Sequence, residues 1–194
     1  MIYIFCAFEA EARPLIDSYK LARQEAHPYA LFTNKEIQLI VSGMGQDKAK
    51  KSAQYLLSKV STIYKDDIFI NIGICAAQEA YKVGELLEIK SIQSEEVSYD
   101  LSPRSSNVKQ VSCFSAREAQ SKISMTDIAE MEALNLYETF KDNFLPEKMS
   151  FLKVVSDNFQ PFVPKKKFII GLVQAHIKEI QAHIKNLQGE DLVR

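Results

Sequence analysis

Three acidic residues of this 194-residue chain occupy positions where a carboxylate can take part in chemistry. Asp157 ends an apolar run, Glu132 lies about one helix earlier in the chain, and Glu11 follows the first apolar run. Enzymes with α/β folds place catalytic groups at the open ends of buried strands. A carboxylate there can accept hydrogen bonds from sugar hydroxyls and can transfer a proton. The three acids therefore predict a site that binds a sugar and moves a proton.

The order of apolar runs predicts the elements that position these acids. Short, nearly all-apolar runs indicate strands covered on both faces, and apolar residues at a 3.6-residue period indicate helices. The predicted strands cover 2–8, 29–33, 36–41, 67–74, 86–92, 108–114 and 150–155. Four helices are predicted: the first begins near Pro14, and the other three cover about 46–60, 127–140 and 165–187. The polar segment 94–110 is predicted to be a loop. Because strands and helices alternate, we expect a single domain over 1–194 with a three-layer α/β/α fold and a central mixed β-sheet.

Composition and charge exclude several classes of function. The formal net charge is −1, from 24 basic and 25 acidic side chains, whereas nucleic acids and anionic membranes require a basic face. No run approaches the ~18 apolar residues of a membrane span. The segment 1–7 lacks the basic region of a signal peptide. We therefore expect a cytoplasmic protein that binds neither nucleic acid nor a membrane.

The cysteines and histidines do not predict a metal site. Cys6, Cys75 and Cys113 are an odd, dispersed set beside apolar runs, which indicates reduced thiols of the cytosol and neither a disulfide framework nor a zinc site. His176 and His183 lie seven residues apart on the last predicted helix and have no acidic third ligand at metal spacing. We expect both histidines at the surface and no bound metal ion.

Several short motifs, taken in order, resemble those of a known family. They are Ala7-Phe8-Glu9-Ala10-Glu11, Val41-Ser42-Gly43-Met44-Gly45, Asn71-Ile72-Gly73-Ile74-Cys75-Ala76-Ala77, Val83-Gly84-Glu85, Met131-Glu132-Ala133 and Val155-Ser156-Asp157. The set resembles the purine and uridine phosphorylase superfamily, and within it the methylthioadenosine/S-adenosylhomocysteine nucleosidase branch. The likeness runs from residue 1 to about 160, and the last two motifs are its most diagnostic ones. The resemblance implies the phosphorylase/hydrolase-like form of the α/β/α fold.

The chain departs from the family pattern in two places. The turn that begins at Gly73 has Ile74 where the family has a serine, and Ala76 and Ala77 where it has glycines. The segment between Ile92 and Glu130 is shorter than in typical members, where it supplies part of the base pocket and of the subunit contact. The chain therefore resembles a compact, divergent member of the branch.

The resemblance implies a role for each of the three acids. Asp157 would be the general acid that protonates N7 of a purine, which requires a carboxyl that holds a proton near neutral pH. Glu132 would accept hydrogen bonds from the ribose 2′- and 3′-hydroxyls and stabilise a cationic sugar. Glu11 would orient or deprotonate the attacking water. The structural alternatives are a helix N-cap for Asp157, a solvent-facing helix position for Glu132 and a favourable charge in the first helical turn for Glu11.

Five further residues are implied in substrate binding. Met131 would pack against the sugar, and Phe114 with Ser115 would stack on the base and offer backbone hydrogen bonds. Gly43 and Gly73 belong to turns that let the backbone approach a ligand. The alternatives are core positions for Met131 and Phe114 and ordinary loops for the glycines.

The implied activity is hydrolysis of the N-glycosidic bond of a purine nucleoside by a homodimer without cofactor or metal. One alternative is phosphorolysis, with phosphate as the nucleophile. The arginines map to no phosphate-binding position of the family; they are Arg13, Arg23, Arg104, Arg117 and Arg194. The other alternative is a nucleoside-binding protein that has lost turnover, which the altered Gly73 turn suggests.

Overall fold

The structure is a computed structural model that describes residues 1–25, 27–101, 107–118, 125–160 and 164–189. The strands are β1 Ile2–Cys6, β2 Ala22–Gln24, β3 Ala30–Thr33, β4 Ile37–Val41, β5 Ile68–Ala77, β6 Leu86–Gln93, β7 Ser98–Asp100, β8 Lys109–Ser115, β9 Ile128–Glu130 and β10 Met149–Asp157. The helices are α1 Glu9–Tyr19, α2 Gln46–Lys59, α3 Ala133–Phe140, α4 Lys166–Ala175 and α5 Ile177–Gln188, with a short 3-10 helix at Pro146–Lys148. Across these ranges, no helix combines the length and apolar character that a membrane crossing needs.

The strands form one mixed sheet, as predicted. β1 pairs in parallel with β4 and β5, and β5 pairs in parallel with β10. On its other edge β5 pairs antiparallel with β9, and the order continues through β8 and β6 back to β10. One end of the sheet therefore closes into a ring of five strands, while β4, β3 and β2 extend the other end.

Apolar side chains cover both faces of the sheet, which explains the nearly continuous apolar runs of its strands. α2 and α3 pack on one face over an aromatic cluster in which the rings of Phe69 and Phe140 lie 4.7 Å apart. α1, α4 and α5 pack on the opposite face over Ile4, Ile70 and Leu152. The predicted three-layer α/β/α fold is confirmed.

Two predicted helix boundaries are wrong. α1 begins at Glu9 and not near Pro14, because the Glu11 carboxylate accepts a hydrogen bond from the Phe8 N–H and so satisfies a free donor at the helix start. The helix predicted over 127–140 begins only at Ala133. The residues before it form β9, because Ile128 and the next two residues pair with β5 and β8.

The last predicted helix is two helices. His176 interrupts it with a backbone φ of −106° and ψ of 11°, and its ring lies 2.6 Å from both the Gly84 carbonyl oxygen and a Glu179 carboxylate oxygen. His183 lies on the face of α5 that packs on the sheet and is buried, not at the surface as predicted. Its Nε2 lies 2.8 Å from the Ser150 hydroxyl of β10. Burial lowers the pKa of His183 to about 4.

Candidate active site

A cavity of about 830 Å³ lies where β1, β5 and β10 end. Because these strands are parallel, their carboxyl ends meet at one edge of the sheet. Glu11, Glu132 and Asp157 all line the cavity together with Met131. We call it the carboxylate cavity. Small or apolar side chains form much of its described wall, among them Phe8, Ala76, Ala116, Ala129 and Ile169.

Glu11 is held at the first turn of α1 with both carboxylate oxygens occupied. The Phe8 N–H donates to Oε2 at 2.8 Å, and the Ile74 N–H donates to Oε1 at 2.9 Å. Burial raises the pKa of Glu11, whereas these backbone hydrogen bonds and the nearby Lys153 ammonium oppose that rise. Both interpretations of Glu11 therefore fit the structure: it is an acid in the first turn of a helix, and it lines the cavity.

Gly73 lets Glu11 approach the sheet. A Cβ at this position would lie 3.0 Å from Glu11 Oε1 and 3.5 Å from Lys153 Nζ. Because Gly73 has no side chain, the Glu11 carboxylate and the Lys153 ammonium can both lie against β5 at this position. Gly73 is absent from the described wall of the cavity and contributes indirectly, by letting Glu11 lie against β5.

Glu132 lies at the N-cap of α3 and is 6% exposed, so the solvent-facing alternative is wrong. The Gly45 N–H donates to its Oε1 at 2.8 Å. Burial, and secondly repulsion from Glu130, raise the pKa of Glu132 to about 7. The turn that presents the Gly45 N–H requires glycine at position 43. Gly43 has a φ of +83°, which other residues rarely adopt, and a Cβ there would lie 2.8 Å from Lys48 Cδ.

Asp157 is the last residue of β10 and is half-buried. The Ser156 hydroxyl lies 2.8 Å from Asp157 Oδ2 and 3.0 Å from the Cys75 carbonyl oxygen, so it can donate to either. The N-cap alternative is wrong, since the next described helix begins at Lys166. Asn158 fixes the turn that follows, because its Nδ2 lies 3.0–3.1 Å from three carbonyl oxygens, those of Ala77, Gln78 and Tyr81.

Sequence reasoning missed a buried ion pair beneath these acids. Lys153 is 1% exposed in the middle of β10, and its Nζ lies 3.0 Å from Glu130 Oε2. Glu130 Oε2 also accepts the N–H groups of Glu132 and Ala133, each at 2.8 Å. The Ser115 hydroxyl donates to the other oxygen at 2.7 Å. The available signal was a single lysine inside an otherwise apolar strand, which is rarely buried without a partner.

Phe114 and Ser115 have different surroundings from those the resemblance implies. Phe114 lines a second cavity of about 900 Å³ between α2, α3 and the segment before β7, and is absent from the described wall of the carboxylate cavity. Ser115 is buried, and its carbonyl oxygen accepts a hydrogen bond from Gln46 Nε2 at 3.1 Å. Met44 and Met131 line both cavities. The two cavities therefore adjoin at these methionines.

The charge of the carboxylate cavity is predominantly negative. Two basic side chains, Arg13 and Lys166, line its described wall, and the buried Lys153 ammonium contacts Glu130. The six acidic residues of the described wall are Glu9, Glu11, Glu118, Glu130, Glu132 and Asp157. In the part of the chain that the structure describes, no three His, Cys, Asp or Glu side chains are grouped to hold a metal ion. Cys75 lines the cavity, but burial raises the pKa of its thiol, which keeps the sulfur uncharged. The arrangement can therefore stabilise a positive charge and can accept or donate protons.

Comparisons with known proteins identify the fold. No family model matches the chain, and no curated protein matches it. Solved structures do match. The 5′-methylthioadenosine/S-adenosylhomocysteine nucleosidase of Campylobacter jejuni has a TM-score of 0.76 at 14% identity, with 95% of this chain and 98% of that chain covered.

Two further structures give the same result. The Streptococcus pneumoniae nucleosidase, with a transition-state inhibitor, has a TM-score of 0.76 at 17% identity and covers 96% of this chain and 99% of its own. A Helicobacter pylori nucleosidase variant, with 5′-methylthioadenosine in its active site, has a TM-score of 0.78 at 11% identity and covers 95% and 98%. The chain therefore has the fold of these nucleosidases along nearly its whole length, as the resemblance implied.

Proposed function

We propose that this chain hydrolyses the N-glycosidic bond of a purine nucleoside. One observation carries the proposal: Glu11, Glu132 and Asp157, far apart in sequence, line a single cavity. The volume of about 830 Å³ lies within the range of cavities that bind small molecules. The fold shared with methylthioadenosine/S-adenosylhomocysteine nucleosidases adds support.

Asp157 acts at the base. As the bond between C1′ and N9 breaks, its electron pair moves into the purine ring, and the Asp157 carboxyl donates a proton to N7. The position of Asp157 supports this role, because it ends a strand at the cavity and lies beside Ser156. Protonation of the leaving group removes the negative charge that would otherwise build up on the base.

Glu132 and Glu11 act on the sugar and on the water. Ionised Glu132 accepts hydrogen bonds from the 2′- and 3′-hydroxyls and stabilises the positive charge that develops on the ribose. Glu11 accepts a proton from the water whose oxygen bonds to C1′. The products are the free base and a free reducing sugar. Met131, beside Glu132, packs against the sugar, and Gly43 and Gly73 keep the backbone close to these carboxylates.

Water is favoured over phosphate by the charges around the cavity. Six carboxyl groups line the described wall of the cavity against two basic side chains, Arg13 and Lys166, so a phosphate anion would meet net repulsion. Arg13 at the rim already pairs with Glu9 at 2.6 Å, and Arg117 pairs with Glu96 at 2.8 Å. Arg104 and Arg194 lie outside the described residues. These observations support hydrolysis and do not favour phosphorolysis.

Base release with and without phosphate tests the reaction. Purified protein is incubated with 5′-methylthioadenosine, adenosine and inosine, and free base is measured by chromatography. We expect release in phosphate-free buffer together with an equal amount of reducing sugar. Release that strictly depends on phosphate would support phosphorolysis. Binding without any release would support the catalytically inactive nucleoside-binding alternative, which the replaced residues of the Gly73 turn motivate.

A homodimer in the cytoplasm is part of the proposal. Met44 is 51% exposed and Val97 is 36% exposed at the second cavity, so a second copy of the chain could cover both side chains. The second cavity adjoins the carboxylate cavity at Met44 and Met131. Phe114 and Ser115 line the second cavity and would contact the base from that side. Sedimentation velocity should give twice the monomer mass, and Val97→Asp should reduce the fraction of dimer. A monomer at all concentrations would contradict this part.

A further inference from the structure

Lys153 reaches across a strand that has no side chain at the point of crossing. In the parallel pairing of β10 with β5, Lys153 lies opposite Gly73. Its ammonium contacts Glu130 at 3.0 Å, and Glu130 belongs to β9 on the opposite edge of β5. A larger residue than glycine at position 73 would lie against Lys153 Nζ. The Lys153 ammonium therefore passes directly over this glycine, and the tightest contact of an added Cβ would be with Glu11 Oε1 at 3.0 Å.

Glu130 connects that bridge to the ribose end of the cavity. Its Oε2 accepts the N–H groups of Glu132 and Ala133, which are free donors at the start of α3. Its Oε1 accepts the Ser115 hydroxyl, which in turn accepts the Leu134 N–H at 3.2 Å. The backbone that carries Glu132 is thus fixed to Lys153 through one carboxylate.

The same ammonium lies close to the water side of the cavity. Lys153 Nζ and Glu11 Oε1 lie 3.5 Å and 3.0 Å from a single point above Gly73. Lys153 therefore lies between Glu11, which holds the water in the proposed reaction, and Glu130, which anchors the ribose-binding acid. Both carboxylates are at least 95% shielded from solvent, so the charge of Lys153 acts on them with little screening.

We propose that Lys153, held by Glu130 across Gly73, is the positioning residue that keeps the Glu11 and Glu132 carboxyls in place in the cavity. The proposal rests on the proposed function and deepens it. Lys153 contacts neither base nor sugar and acts through the two carboxylates.

The charges of the cluster support this role. Burial would lower the pKa of Lys153, but Glu130, Glu132 and Glu11 together raise it, so the ammonium stays charged. In return, Lys153 lowers the pKa of both Glu11 and Glu132 against the opposite effect of burial. Without that cation, the two acids would hold protons to a higher pH. A protonated Glu11 could not take a proton from water, and a protonated Glu132 would be a weaker acceptor for the ribose hydroxyls.

The test compares Lys153→Met, which removes the charge at similar length, with Lys153→Arg, which keeps it. Lys50→Met, at an exposed position of α2, is the matched control. We expect Lys153→Met to move the acidic limb of the pH profile of kcat/KM upward by about one unit or more. KM at pH 7 should rise about tenfold and recover in part at pH 9. Lys153→Arg should restore the wild-type limb, and Lys50→Met should match the wild type throughout.

A purely structural role gives a different result. Loss of activity by the same factor at every pH, with an unmoved acidic limb, would overturn the proposal. If Lys153→Met fails to fold, Lys153→Gln, which is also uncharged but can still hydrogen-bond to Glu130, replaces it, and the same upward shift of the limb is expected. If the wild type releases no base, the proposed function fails, and the positioning is then tested by ¹³C NMR titration of the Glu11 and Glu132 carboxyls. Equal titration midpoints in wild type and Lys153→Met would overturn it.

Discussion

Replacing Gly73 by alanine perturbs the site through one methyl group of known surroundings. The added Cβ would lie 3.0 Å from Glu11 Oε1 and 3.5 Å from Glu11 Cδ and Lys153 Nζ. A contact of 3.0 Å is tighter than ordinary Cβ contacts, so the Glu11 carboxylate must move by a few tenths of an ångström. That movement stretches the hydrogen bond from the Ile74 N–H, now 2.9 Å. Overpacking of this kind costs about 1–3 kcal/mol.

The activity should fall more clearly than the stability. Misplacing a reacting group by about 1 Å can reduce the rate about 10²-fold, so a movement of a few tenths of an ångström predicts a loss of up to about tenfold in kcat/KM, or up to about 1.4 kcal/mol. Base release from 5′-methylthioadenosine gives kcat/KM, and urea unfolding gives the free energy of unfolding.

Gly171→Ala is the matched control for the same substitution. Gly171 lies exposed on α4 with no heavy atom within 4 Å of a new Cβ. The variant should therefore gain about 0.5–1 kcal/mol, since alanine is the better helix former, and kcat/KM should not change. Wild-type kcat/KM and stability in Gly73→Ala would refute the close approach of Glu11 to β5.

Three further predictions concern the titratable groups. Asp157→Asn should reduce base release by at least about 10²-fold while the melting temperature and ligand binding change little; unchanged release would exclude Asp157 as the acid. The folded protein keeps a proton on Glu132 up to about pH 7, whereas the unfolded chain loses it above its ordinary pKa of 4.5. Wild-type stability should therefore fall by up to about 3 kcal/mol as the pH rises between these values, and urea unfolding of Glu132→Gln should show a flatter profile. His183 has the opposite sign, because its folded-state pKa of about 4 lies below the ordinary 6.5. Stability should be lost by up to about 3 kcal/mol as the pH falls through that window, and His183→Gln should remove this loss; an unchanged acid-side slope would contradict the burial of His183.

The layers of the fold could be predicted because buried strands and amphipathic helices leave clear patterns. The runs that became β1 and β5 are almost wholly apolar, and the alternation of apolar runs with helices predicts the three layers. β9 could not be predicted, since three residues are too short to show a period and their pairing depends on distant strands. The closure of the sheet, where β10 meets both β5 and β6, is likewise a long-range contact with no local signal.

The site could be predicted in its acids but not in the residues that support them. Glu11, Glu132 and Asp157 stand in ordered motifs, so their positions followed from sequence, although their roles remain proposals. Lys153 was hidden in an apolar run, and its importance depends on Gly73 opposite it in the neighbouring strand. The orientation of Phe114 towards the second cavity depends on the register of β8, which sequence does not fix.

The most direct test of the central claim is the ratio of free base to reducing sugar that the purified chain forms from 5′-methylthioadenosine in phosphate-free buffer. We expect equal amounts, many per protein molecule, and almost none with Asp157→Asn. No base from any purine nucleoside, with or without phosphate, would contradict the claim that the three carboxylates of this cavity cleave a glycosidic bond.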